Sequence, residues 1–248
     1  MVIPGVYKDL LVACKLPGCP ICHLVEQSTR RYMSNLFYEH VNDGGLRARL
    51  RKSLGFCHEH AWLALEPGMG DALGVAIIYH DVLKNLLKNL PKADANVTRK
   101  GYLTSMLERI RKRSEDKLSK VLRAFVKKVS CPACEQLKDS TDLYLSELVG
   151  ALQKDEMSDA LKDSSGLCIP HLRQAFEFIR DEKTCAILLS ISRDKISALD
   201  HELMEIIRKK DYRFQAEGFG DEKDAWRRVV GLVVGERRGI EGNVIEKH

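Results

Sequence analysis

The sequence predicts an all-α protein made of two homologous helical modules. Three observations carry that reading: one cysteine pattern is written twice, the composition favours helix, and apolar residues recur at helical spacing. The first copy of the pattern is Cys19-Pro20-Ile21-Cys22 followed by Gly55-Phe56-Cys57-His58-Glu59-His60. The second is Cys131-Pro132-Ala133-Cys134 followed by Gly166-Leu167-Cys168-Ile169-Pro170-His171. Each copy reads C-P-x-C, a gap of just over thirty residues, then G-x-C-x-x-H. Six of the eight cysteines fall within it.

The two copies align beyond these residues. At a shift of 112 positions, Ser28 and Thr29 fall on Ser140 and Thr141, Tyr32 on Tyr144, Ser34 on Ser146 and Leu36 on Leu148. One residue is then missing from the second copy. At a shift of 111, Leu50 falls on Leu161, Ser53 on Ser164, Gly55 on Gly166 and Glu66 on Glu177. A unit of about 110 residues is far larger than a solenoid repeat, so the pattern reads as an internal duplication of a module.

Taken in order, the elements follow from spacing. After Cys22, Leu24, Val25, Tyr32, Leu36 and Phe37 recur on one helical face, as do Leu137, Tyr144, Leu145 and Leu148 in the second copy. Asn42-Asp43-Gly44-Gly45 is a turn, and a short helix is expected from Leu46 to Ser53. Gly55 and Gly166 end a helix or permit a tight turn, and a new helix starts at or just after Cys57 and Cys168. Longer helices are expected over Leu73–Leu90, which Pro91 ends, and over Cys185–Ile207. Between the modules, Leu103, Leu107, Ile110, Leu118, Val121, Leu122, Phe125 and Val129 flank a polar stretch at Arg111–Lys117. That pattern fits one long helix buried at both ends and exposed at its waist. The tail offers a loop at Ala216–Asp221 and a docking helix from Trp226 to Val234.

Composition sets the bounds. A chain of 248 residues with 44% hydrophobic, 30% charged and only 6% aromatic residues is that of a globular protein rich in helix formers. Forty basic and 35 acidic residues leave a mild net charge of +5, which permits an acidic partner without demanding one. The opening Met1-Val2-Ile3-Pro4-Gly5 has no basic leader and no long apolar run, and no stretch is long enough to span a membrane. A cytoplasmic location and no membrane partner are expected. In a reducing compartment, paired cysteines point to metal or redox chemistry rather than to disulfides.

The ligand types suit a closed metal site. C-x-x-C brings two sulfurs within reach of one cation, and C-x-x-H at a helix start puts both side chains on one face. The expected first site is Cys19, Cys22, Cys57 and His60; the expected second is Cys131, Cys134, Cys168 and His171. Three thiolates and a neutral imidazole around a divalent ion leave a net charge of −1, which Arg51, Lys52 or Arg173 would offset. Zinc fits as the cofactor at both sites, and iron–sulfur clusters at the same residues are the alternative.

Other readings of these residues are weaker. Cys14, Cys19 and Cys22 spell the C-x4-C-x2-C spacing of plant-type ferredoxins, but position 126 of the second copy is Val where Cys14 would recur, so Cys14 reads as core. Cys185 lies in an apolar helical run and reads as core too. Cys19–His23 matches the haem-attachment pattern, but Glu135 stands where His23 would recur. C-P-x-C also occurs in thiol–disulfide oxidoreductases, which place it after a strand, and no strand is expected here. His58 has Ile169 as its counterpart, so it is no repeated ligand. No H-E-x-x-H, phosphate-binding glycine loop or G-x-S-x-G is present. The basic run Arg109–Arg113, with Arg227, Arg228, Arg237 and Arg238, is the only footing for nucleic-acid binding, and Glu115 and Asp116 can neutralise much of it.

The doubled C-P-x-C … G-x-C-x-x-H pattern, closing on Asp224-Ala225-Trp226-Arg227-Arg228, resembles an uncharacterised prokaryotic family of duplicated helical proteins. The resemblance covers most of the chain. It implies a shared fold and shared cysteine ligands, and it brings no activity. The expected organisation is a first metal-binding module at 1–96, a long connecting helix at 97–130, a second module at 131–215, and a docking helix and tail at 216–248. With four protein ligands per metal there is no open position for water, so a scaffold or interaction protein with an unknown protein partner is expected rather than a hydrolase. The alternatives are an iron–sulfur protein in electron transfer or redox sensing, and a nucleic-acid-binding regulator.

Overall fold

The computed structural model describes residues 3–90 and 122–236, and these are helical with no strand among them. Most of the expected connecting helix, residues 97–121, and the basic cluster Arg109–Arg113 lie outside the described residues, as do Pro91, Arg237 and Arg238. Its described end departs from the expectation: residues 125–130 are not helical, and Leu122, Phe125 and Val129 are exposed rather than buried.

The helices are α1 (Pro4–Ala13), α2 (Pro20–Asn35), α3 (Gly44–Ser53), α4 (His58–Leu63), α5 (Ala72–Asn89), α6 (Pro132–Ala151), α7 (Asp155–Asp163), α8 (Ile169–Phe178), α9 (Glu182–Lys209) and α10 (Ala225–Val234). A π-helical turn, Leu36–His40, continues α2, and 3-10 turns at Gln215–Glu217 and Asp221–Asp224 lead into α10. Proline starts three of these helices, where its missing N–H costs nothing. Aspartates cap four-turn and longer helices: Asp71 accepts from Gly74 N at 2.5 Å ahead of α5, and Asp181 accepts from Thr184 N at 2.9 Å ahead of α9. Asp43 caps α3 in the same way, from Leu46 N at 2.6 Å.

The chain divides into two compact units. One consists of Met1–Thr29 with Leu137–His248, the other of Arg30–Gln136, so the boundaries fall inside α2 and α6. In the first unit, Leu10 of α1, Ile21 of α2, Leu145, Leu148 and Leu152 of and after α6, Met157 and Leu161 of α7, and Leu188 of α9 are wholly buried together. In the second unit the core is Met33, Leu36 and Phe37, Leu50 of α3, Phe56, Leu63 of α4, and Ile78 and Val82 of α5. Each core also holds cysteines of the doubled motif, Cys19 and Cys168 in one and Cys131 in the other. The aligned serines meet directly: Ser28 Oγ and Ser140 Oγ are 2.7 Å apart. The aligned threonines do the same job in each helix, Thr29 Oγ1 donating to Val25 O at 2.8 Å and Thr141 Oγ1 to Leu137 O at 2.7 Å.

Candidate metal centres

The four ligand-bearing helices share one design. Cys57 and Cys168 are the N-cap residues of α4 and α8, and their carbonyls accept from Ala61 N at 2.9 Å and Leu172 N at 2.8 Å. Cys19 and Cys131 hold the same place ahead of α2 and α6, accepting from His23 N at 3.3 Å and Glu135 N at 3.1 Å. The second ligand of every pair, Cys22, His60, Cys134 or His171, is the third residue of its helix. N-cap and third-residue side chains are the pair that meet in a capping box, because both lean over the open N-terminal turn. The x-x spacing of the motif is thus the N-cap geometry itself, with sulfur and imidazole in place of hydroxyl and carboxylate.

Two quartets result, and their membership corrects the sequence expectation. Cys19 and Cys22 stand with Cys168 and His171, while Cys57 and His60 stand with Cys131 and Cys134. Each quartet lies within one compact unit. The expected grouping of Cys19 and Cys22 with Cys57 and His60, and of Cys131 and Cys134 with Cys168 and His171, does not occur. The cores explain why. The start of α2 (Ile21, Leu24, Val25) is buried in the first unit and its end (Met33) in the second, which also holds Phe56 and Cys57. The start of α6 (Cys131, Ala133) belongs to the second unit's core and its later part (Leu145, Leu148) to the first, which also holds Cys168. Each C-P-x-C therefore lies in a different core from the G-x-C-x-x-H that follows it, and meets the other one instead.

In the first site, His171 Nδ1 is 3.6 Å from Cys19 Sγ, 3.4 Å from Cys22 Sγ and 3.2 Å from Cys168 Sγ, and Cys22 Sγ is 3.7 Å from Cys168 Sγ. In the second, His60 Nδ1 is 3.1 Å from Cys57 Sγ, 3.8 Å from Cys131 Sγ and 3.4 Å from Cys134 Sγ, and Cys134 Sγ is 3.5 Å from Cys57 Sγ. All four ligand atoms of each quartet lie within 4.8 Å of one another. Both quartets could therefore hold a metal ion. Both histidines offer Nδ1, the nitrogen nearer the backbone.

Electrostatics favour a cation. Burial, with the Cys168 contact, pushes the Cys19 thiol up to about 12. Burial and the Cys57 contact do the same to Cys134, also to about 12. Contact with Cys19 lowers Cys168, but Cys22 beside it and burial outweigh this and take it to about 12. Cys131 is raised by burial. Crowded, buried thiols resist ionisation without a cation, and a bound cation reverses that preference. The free N–H groups of two helix starts face each quartet and favour anionic sulfur. Arg51 is committed elsewhere, 2.5 Å from Asp81, which it shares with Arg47.

The turn before each C-x-x-H is held by a serine whose role the sequence did not reveal. Buried Ser53 donates to Leu50 O at 3.3 Å and to Gly55 O at 2.7 Å. Buried Ser164 donates to Leu161 O at 2.8 Å and accepts from Gly166 N at 3.0 Å. Their alignment at a common shift was the available signal. The glycines that follow take φ of +87° and +79°. At Gly55 a Cβ would also lie 3.0 Å from the Tyr79 ring. Gly55→Ala is expected to cost about 1–2 kcal/mol from the left-handed backbone alone and to displace Cys57. Thermal denaturation and metal titration check this, with Gly5→Ala as the neutral control, since nothing lies within 4 Å of its Cβ position.

The remaining candidates stand apart from both quartets. Cys14 is buried in the core of the first unit, and burial pushes its thiol up to about 11. Cys185 lies half-buried on α9. His58 is exposed and meets the edge of Trp62 at 6.3 Å between ring centres. His23 Nε2 contacts the Pro17 carbonyl rather than a metal ligand. Just after α10, a Cβ at Gly235 would lie 3.7 Å from Cys22 Sγ and 3.8 Å from Cys168 Sγ. The chain after α10 therefore passes directly over two sulfurs of the first site.

Among the described residues, no helix is long and apolar enough to cross a membrane. The chain is 28% identical over 219 residues to the "Uncharacterized 23.9 kDa protein in xynA 3'region" of Caldicellulosiruptor sp. (strain Rt8B.4), a match covering 88% of this chain and 95% of that one. No solved structure matches. Residues 12–239 match the model of a family of unknown function, DUF6062, and the chain belongs to that family.

Proposed function

We propose that the protein is a helical scaffold or interaction protein stapled by two structural zinc ions, one per quartet. The spacing of the ligand atoms carries this reading. Four ligands sharing one ion at Zn–S bonds of about 2.3 Å form a tetrahedron with edges of about 3.5–3.8 Å. Four separations in each quartet run from 3.1 to 3.8 Å, and all four ligand atoms of each lie within 4.8 Å of one another. A [4Fe–4S] cluster holds each ligand on a different iron and a [2Fe–2S] cluster holds two on each, so in both some ligands stand farther apart than four that share one ion. Protein fills all four positions at each quartet, which suits a closed structural site. The doubled motif and the matching cap, serine and glycine positions support descent from an internal duplication. The scaffold would act in the cytoplasm, on a protein partner that the fold does not name.

Metal analysis and a visible spectrum on protein purified without oxygen test the reading. Two zinc ions per chain and a colourless solution are expected. Iron with labile sulfide in a brown protein would overturn it in favour of electron transfer or redox sensing.

A further inference from the structure

We propose that the outer face of α9 pairs with the α9 of a second copy of this chain, antiparallel, across a two-fold axis near Ile196. Helix α9 has 28 residues and carries two seams. The inner one, Thr184, Leu188, Ile191 and Leu199, is buried. The outer one is Ala186, Leu189, Arg193, Ile196, Asp200, Leu203 and Ile207, spaced alternately by three and four residues. That spacing is the seam of a two-helix coil. On a helix of 3.6 residues per turn it falls opposite the inner seam. It is largely open: Leu189 is 51%, Ile196 42% and Ile207 65% exposed, Met204 beside it is 56% exposed, and Leu203 is half-buried. A globular helix has no need of a second apolar stripe facing water.

Charge selects both the occupant and its direction. Arg193 and Asp200 interrupt the stripe at equal distances either side of its middle, and both are exposed. Neither has an ion-pair partner among the described residues. A parallel copy would set Arg193 against Arg193 and Asp200 against Asp200. An antiparallel copy sets Arg193 of each chain beside Asp200 of the other, twice, and Leu189 beside Met204. The flanking Ser190 and Ser197 are small enough for close approach. Under that two-fold Ala186 falls beside Ile207, Ile196 beside Ser197 and Leu203 beside Ser190, so each chain offers the same face, as an isologous contact requires.

Size sets the strength. From Ala186 to Ile207 the seam is about 32 Å long, and at a helix width of about 10 Å it buries roughly 700 Å² in all. That lies in the weak, reversible class, so a dissociation constant on the order of 10–100 µM is expected.

Sedimentation equilibrium of the full chain from about 5 to about 500 µM, a range that brackets this affinity, tests the proposal. Wild type is expected to pass from monomer to dimer. Arg193→Asp, Asp200→Arg and Ile196→Glu should each weaken association about tenfold or more. Combining Arg193→Asp with Asp200→Arg should restore it to within about twofold, because the pairs reform with signs exchanged. Circular dichroism verifies that the variants, all at exposed positions, remain folded. A chain monomeric throughout, a dimer indifferent to these substitutions, or a charge exchange that fails to restore association overturns the proposal. Metal content does not enter the measurement, so its failure is separable from that of the zinc reading.

Discussion

Replacing Cys22 and Cys168 together by serine is expected to remove one metal ion per chain and leave the other fully bound. Replacing Cys22 and Cys57 together is expected to cripple both sites. The two double variants delete the same number of thiols from the same two motif types. They differ only in whether the thiols share a quartet. Inductively coupled plasma analysis after dialysis against a mild chelator reads the difference directly, as one ion against none. Sites made of sequence neighbours would give the reverse result. Structural zinc in small domains carries about 10–16 kcal/mol of apparent binding energy that appears as folding energy. The surviving site should therefore still protect its own unit in hydrogen exchange, while the stripped one loses protection around its two helix starts.

Metal removal is expected to reverse the pH dependence of stability. In the metal-free chain the Cys19, Cys134 and Cys168 thiols are pushed up to about 12. An unfolded cysteine titrates near about 8.5. A folded value above the unfolded one means that folding favours the protonated thiol. That contribution is whole below about 8.5 and is lost as pH rises towards the folded values. The metal-free protein should accordingly melt at falling temperatures above about pH 9. The loaded protein holds thiolates, so protons compete with its metal and its melting temperature should fall as pH drops below neutrality. Binding at neutral pH should also release protons, from Cys19 and Cys168 at one site and Cys134 at the other. Calorimetry in buffers of different ionisation enthalpy measures their number. Release near zero would mean that the thiols are already ionised without metal, contrary to their burial.

Much of the fold was legible because the sequence marks its own helix starts. Cys57 and Cys168 were expected at new helices and are their N-caps. Expected helices over Leu46–Ser53, Leu73–Leu90 and Cys185–Ile207 appear as α3, α5 and α9 with ends moved by a few residues. Such shifts are usual where caps such as Asp43 and Asp181 set the start rather than apolar spacing. Helix α1 was not foreseen. Its ten residues bury only Leu10 and Ala13, too few positions to establish a period. The ligand-type residues were legible from their doubled register, but their partners were not. Gaps of 35 residues from Cys22 to Cys57 and 34 from Cys134 to Cys168 made sequence neighbours look like site neighbours. What decided the matter was that α2 and α6 each start in one core and end in the other, and the apolar period reports a helix's face, not which core each end enters.

The grouping of the ligands has a consequence for how the chain comes together. Along the sequence the two sites nest like brackets, with Cys57–His60 and Cys131–Cys134 closing inside Cys19–Cys22 and Cys168–His171. The inner bracket joins residues 74 apart and the outer one residues 146 apart. Each doubling of a loop costs about 0.6 kcal/mol of closure entropy, so the inner bracket closes first and then shortens the outer loop. An unfolded chain meeting metal faces a still shorter closure, from Cys22 to Cys57, favoured over the outer bracket by about 1.2 kcal/mol. That quartet is also the first complete one to leave the ribosome. Metal supplied before the helices have formed is therefore expected to favour the wrong brackets. Helix formation ahead of metal entry would then proofread the coordination.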